Sequence, residues 1–115
     1  MRSLMPAMIL CGLLFGAGCG ADRRSEPLTG KRPVLDTEEA FGERVFMREC
    51  NSCHPQGAAG LGPALNDKPV PGFAIKLQVR AGFGEMPSFS EDEVTEEELD
   101  ALVAYLTEIG APWGG

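Results

Sequence analysis

Three stretches of this chain place apolar residues at helical intervals, and segments rich in glycine, proline and charge separate them. The last stretch is the clearest. Leu99, Leu102, Val103 and Leu106 follow the i, i+3, i+4, i+7 rule of an amphipathic helix. Thr95 and Glu98 have capping-box spacing, and Glu96, Glu97 and Glu98 fill a first turn where the helix dipole favours negative charge. Gly110 and Pro112 supply the stop. A first helix is predicted over residues 37–49, opened by Asp36 and Glu39 as a second capping box. Its stripe is Phe41, Val45 and Cys50, with Phe46 beside it. Gly42 in its interior costs about 1 kcal/mol relative to Ala, so this position predicts close approach by another backbone. A shorter helix is predicted from Pro71 or Gly72 to Arg80, with Phe73, Ile75 and Leu77 facing inward and Gly82 and Gly84 ending it. Residues 55–71 are too rich in proline and glycine for anything but loop. No strand pattern, internal repeat or low-complexity run stands out, so the expected class is all-α.

The N-terminal end has a different pattern. Arg2 is followed by an uncharged apolar run over residues 7–18, short for a bilayer span. Gly16, Ala17 and Gly18 then precede Cys19, which reads as an export signal over residues 1–18. The Cys after small residues resembles a bacterial lipoprotein signal, making Cys19 a lipidation candidate, although Gly16 stands where such signals usually carry Leu. An ordinary signal cut between Gly18 and Ala21, or an uncleaved anchor, fits the same residues. Residues 19–35 are polar and broken by Pro27, Gly30 and Pro33, the composition of a flexible tether. Its last sixteen residues would reach roughly 50 Å fully extended and about 20–24 Å as a coil. The folded domain is predicted over residues 36–115.

The chain's 115 residues, 43% of them hydrophobic, suit one small domain. Three short helices give it a thin core, which predicts dependence on a bound group. Net charge is -7, which excludes nucleic-acid binding through a basic surface. Removing residues 1–18 takes one of the 10 basic residues, Arg2, and none of the 17 acidic ones, so the charge moves to -8. The skew is uneven. No Lys or Arg follows Arg80, while nine acids do, six of them between Glu91 and Glu98. This is either a solubilising face with helix N-terminal acids or a patch that steers a basic partner.

Candidate chemistry centres on Cys50-Asn51-Ser52-Cys53-His54. Two thiols three residues apart, followed at once by an imidazole, have the spacing of a c-type haem attachment site. Cys50 and Cys53 would form thioethers, and His54, the chain's one histidine, would bind the iron. A thiol redox pair or half of a zinc site uses the same Cys spacing. Structural zinc wants four ligands, and a thioredoxin-like pair wants alternating strands and helices around it, which this sequence lacks. The second axial position decides between electron carrier and ligand binder. Of five methionines, Met1, Met5 and Met8 would leave with the signal. Met47 lies on the helix leading into Cys50. Met86 precedes Pro87, which stiffens its loop, so Met86 is the candidate distal ligand, with ordinary core packing as the other reading.

Four landmarks, in order across residues 37–109, resemble the class I cytochrome c family and particularly its small bacterial members. They are Gly42 with Phe46 ahead of the Cys-x-x-Cys-His motif; Gly60-Leu61-Gly62-Pro63-Ala64-Leu65; residues 79–89 around Met86, ending in Phe89; and Leu102-Val103-Ala104-Tyr105-Leu106. The resemblance implies an all-α class I cytochrome c fold, with three main short helices and loops wrapped around one covalently bound haem c. It implies that Gly42 lets the first and last helices cross closely, with Phe46 near Tyr105 and Leu106. It gives the Pro63 carbonyl a hydrogen bond from the His54 ring, Met86 the distal position, and Gly62, Leu65 and Phe89 places in the haem pocket. Arg80 would approach a haem propionate or lie on the surface. Many relatives keep an internal Trp near a propionate. The one Trp here, Trp113, is three residues from the end and is expected to pack over the last helix.

The function implied is a single-electron carrier, not an enzyme: an exported monohaem cytochrome with His54 and Met86 as axial ligands. It would shuttle electrons between redox partners at the periplasmic side of a bacterial membrane, without a small-molecule substrate. A five-coordinate haem that senses a gas is one alternative. An electron-entry subunit of a larger oxidase or dehydrogenase is another.

Overall fold

The computed structural model describes residues 32–111 of the chain. The export signal, Cys19, most of the tether and Trp113 lie outside the described residues. Within them are α1 (Thr37–Glu49), a 3-10 turn at Pro55–Gly57, α2 (Gly72–Ala81) and α3 (Glu96–Gly110), with no strand among the described residues. Contacts with the folded unit extend ahead of Asp36. Leu35 packs against the core and the Arg32 guanidinium meets Glu43 at 2.8 Å, while Val34 between them is exposed.

Both capping boxes form. The Asp36 carboxylate accepts from the Glu39 N–H and the Glu39 carboxylate from the Asp36 N–H, each at 2.8 Å. Thr95 and Glu98 exchange the equivalent pair at 3.2 and 3.0 Å. These bonds satisfy N–H groups that the first helical turn leaves without partners. α3 runs through Gly110 before Ala111 ends it, and α2 stops at Gly82, whose φ of 63° suits a residue without a side chain.

The core joins Val45 and Phe46 of α1, Ile75 and Val79 of α2, Val94, and Leu99, Leu102, Tyr105 and Ile109 of α3. α1 and α3 cross at Gly42. A Cβ there would run into the Ala101 carbonyl and the Tyr105 Cβ. The rings of Phe46 and Tyr105 meet beside this crossing, their centroids 5.4 Å apart and tilted by 56°. The intrinsic helix cost of Gly42 thus permits the contact that organises the core. Phe41, Val103 and Leu106 are partly buried against it.

On α2 the predicted face is wrong in part. Ile75 is buried, but Phe73 and Leu77 are exposed. The apolar residues at 73, 75, 77 and 79 recur every second position. A helix turns about 200° in two residues, so 73 and 77 fall opposite 75 and 79. The core takes the second pair.

Candidate haem site

The Cys-x-x-Cys-His segment folds as a tight turn off the end of α1. Cys50 caps the helix, its N–H bonding to the Phe46 carbonyl. The Cys50 carbonyl accepts from the N–H groups of Cys53 and His54, at 3.2 and 2.9 Å. This brings both thiols and the imidazole to one cavity. The cavity holds about 710 Å³, within the ~300–1,000 Å³ usual for cofactor sites. Phe46, Leu65, Ile75, Val79 and Leu106 make its apolar walls.

His54 is buried, and its Nδ1 lies 2.7 Å from the Pro63 carbonyl oxygen. A carbonyl only accepts, so Nδ1 carries the proton and donates. Nε2 keeps its lone pair as a ligand. Gly62 lies against the ring so closely that a Cβ would strike Cε1 and both nitrogens. The loop that presents Gly62 and Pro63 is pinned from both ends. The Gly62 N–H bonds to the Cys53 carbonyl, and the Gly57 carbonyl accepts from Leu65 and Asn66. The buried Asn66 amide donates to the Gln56 carbonyl at 3.0 Å, and Gln56 N–H donates to the Asn51 side chain at 2.7 Å. Gln56, at φ 53°, is one of two non-glycine residues in the left-handed region among the described residues, held there by these bonds.

Met86 lines the same cavity. Its Sδ accepts from the Gln78 amide at 3.3 Å. The loop carrying it packs on Gly82, where a Cβ would meet the Met86 carbonyl and the backbone of Pro87 and Ser88. The Phe89 N–H bonds to the Val79 carbonyl at 2.8 Å. Met47, by contrast, is exposed on α1.

Two pocket residues read from the sequence stand elsewhere. Arg80 lies off the cavity wall. It donates to the carbonyls of Phe89 and Val94 at 3.2 and 2.7 Å and pairs with Glu96 at 2.7 Å. Its donors face the segment after Met86 because position 80 lies on the flank of α2 away from Gln78. The residue braces the Met86 loop. Phe89 likewise packs against the core and not on the cavity wall. Sequence reasoning did not single out Gln78, Ala74 or Val70, and it gave Leu61 and Phe83 only as parts of longer landmarks; all five line the cavity. Gln78 had a signal: it is an amide inside the otherwise apolar run of positions on the core side of α2.

Burial, reinforced by the charges of Glu49 and Cys53, pushes the free Cys50 thiol up to about 12. Among the described residues no group of three or more His, Cys, Asp or Glu side chains is arranged for a metal ion. The residues do fit a haem: two unbridged thiols, an imidazole lone pair and a thioether around one apolar cavity.

Comparison with known proteins agrees. The family model "cytochrome c oxidase, cbb3-type, subunit III" matches residues 37–106. The cytochrome c subunit of 4-cresol dehydrogenase (hydroxylating) from Pseudomonas putida is 34% identical over 96% of this chain and 87% of its own length. Cytochrome c6 of Bryopsis maxima is 39% identical over 57% of this chain and 85% of its own. A chain in the crystal structure of p-cresol methylhydroxylase with substrate bound superposes with a TM-score of 0.55 at 32% identity, over 64% of this chain and 97% of that one. The chain belongs to this c-type cytochrome family. It is an electron-transfer protein and not itself an enzyme, and its cofactor is one covalently bound haem c.

Proposed function

We propose that the chain is an exported monohaem carrier in which Cys50 and Cys53 hold the haem and His54 and Met86 are its axial ligands. One observation carries this reading. The His54–Pro63 hydrogen bond leaves Nε2 as a lone pair in the cavity that the Met86 thioether also lines. Bound there, the haem would supply reversible one-electron chemistry, with soft thioether ligation and the apolar walls of the cavity favouring the reduced form. The protein's residues do the rest. Pro63 orients the imidazole and raises its basicity. Gly62 gives the ring room. Arg80 and Phe89 stiffen the Met86 loop, so little has to move on electron transfer. Replacing Met86 with Ala should abolish the weak long-red absorption of a thioether-ligated ferric haem and lower the potential. An unchanged spectrum and potential would remove Met86 from the iron. Firm bracing of this loop also speaks against the gas-sensing alternative, which needs Met86 to leave easily.

The cresol dehydrogenase cytochrome subunit and the p-cresol methylhydroxylase structure favour a second reading: attachment to a larger dehydrogenase as its electron-exit or electron-entry subunit. Co-purification of a dehydrogenase or oxidase with the native protein distinguishes this from free shuttling. Export to the periplasm follows from the signal-like N-terminus and suits thioether attachment. Acylation of Cys19 would tether the carrier to the membrane through residues 20–35. Mass spectrometry of the mature protein reports the haem, the N-terminal residue and any acyl chains together. The acids after Arg80 would steer redox partners with a basic docking patch.

A further inference from the structure

Phe73 and Leu77 on the outer face of α2 are 76% and 58% exposed. Next to them on the helix, Ala74 and Gln78 line the haem cavity. The apolar ridge therefore continues to the cavity, among whose lining residues Leu61, Val70 and Phe83 are also exposed. On its other flank Lys76 and Arg80 are bound to Asp100 and Glu96. Glu91, Asp92, Glu93 and Glu97 are exposed on the loop and helix start that Arg80 holds. Scattered exposed apolar residues are ordinary. A contiguous set running into a cofactor cavity and bordered by acids marks a contact surface.

Charge selects the occupant. A second copy would bring net charge -7 against net charge -7, and an anionic lipid surface would meet the same repulsion. A protein face with an apolar centre rimmed by Lys and Arg satisfies both the ridge and its border. We propose that Phe73 and Leu77 are the anchor on which such a basic-rimmed redox protein docks, covering the cavity in the same contact. This rests on the basic partner inferred above and adds where it is gripped.

The test uses ferric holoprotein and zinc-substituted mitochondrial cytochrome c, a lysine-rimmed protein whose photoexcited porphyrin passes one electron to the ferric haem. Photoexcited tris(bipyridine)ruthenium(II), which needs no docking surface, is the control donor. The Phe73→Ser/Leu77→Ser variant should lose about tenfold or more of the second-order rate with the protein donor and none with ruthenium. The single variants Phe73→Ala and Leu77→Ala serve if the double one fails to fold, each with a smaller loss confined to the protein donor. An equal rate with the protein donor overturns the anchor. So does a concentration-dependent dimer, or binding to lipid vesicles, that the substitutions abolish. If wild type reacts with ruthenium but not with the lysine-rimmed donor, the basic-partner reading itself falls.

Discussion

Gly42 and Gly62 show how much of this protein turns on a missing methyl group. At Gly42 the helix gives up about 1 kcal/mol of intrinsic propensity so that α1 can lie directly on the Ala101 carbonyl. Gly42→Ala recovers that propensity and loses the contact. The obstacle is backbone, which cannot swing aside as a side-chain tip can, so a net loss of about 2 kcal/mol is expected. In a domain of this size that lowers the melting temperature by about 8–16 °C; thermal denaturation followed by circular dichroism measures it. An unchanged midpoint would mean that the helices separate at little cost. At Gly62 the obstacle is the His54 ring itself. The attachment motif was legible because its chemistry is local: five consecutive residues carry both thiols and the imidazole. The role of Arg80 was not, since it depends on which flank of α2 faces the Met86 loop, and Gln78 left only the weak mark of an amide among apolar positions.

At the level of elements, α1 and α3 were readable because each states its start, its apolar face and its end independently. α2 states its ends, but its alternating apolar residues leave two faces to choose between. The choice was settled by packing against α3, which buried Ile75 and Val79. Glu98 links two of the legible elements: it caps α3 and pairs with Arg48 of α1 at 3.0 Å. The Arg48 guanidinium, then the Thr95 backbone N–H, hold its carboxyl below its ordinary range. A lowered carboxylate stabilises the fold above its unfolded value, near 4.3, and loses that contribution as pH falls through the lower folded value. Glu98→Gln keeps a capping-box acceptor and removes only the charge. The pair is solvent-accessible, so the loss at neutral pH should be ~0.5 kcal/mol, or about 2–4 °C. Melting curves of the two proteins should converge as the pH is lowered below the carboxylate range. A gap that stays constant with pH would assign the effect to the cap alone.

For the whole molecule, the question is what holds together three helices around a cavity of about 710 Å³. The core runs along the α1–α3 crossing, and the inner face of α2 divides its residues between that core and the cavity wall: Ile75 and Val79 belong to both. Without a group in the cavity, α2 and the two loops that carry Pro63 and Met86 lose one side of their packing. The Cys50→Ser/Cys53→Ser chain, made without haem, should therefore melt without a cooperative transition and retain only part of the native helical signal. A sharp two-state transition would show that the protein core suffices. The same scale governs association. Acids collected after Arg80 act on a partner as a summed field, which salt screens over a Debye length of about 10 Å at 0.1 M. An apolar ridge on α2 acts only on contact and is insensitive to salt. If both operate, raising ionic strength should slow electron exchange with a basic partner, while substitution at Phe73 and Leu77 should lower the rate by the same factor at every salt concentration. A rate that ignores ionic strength would reduce the acidic segment to a solvated face and leave docking to the ridge alone.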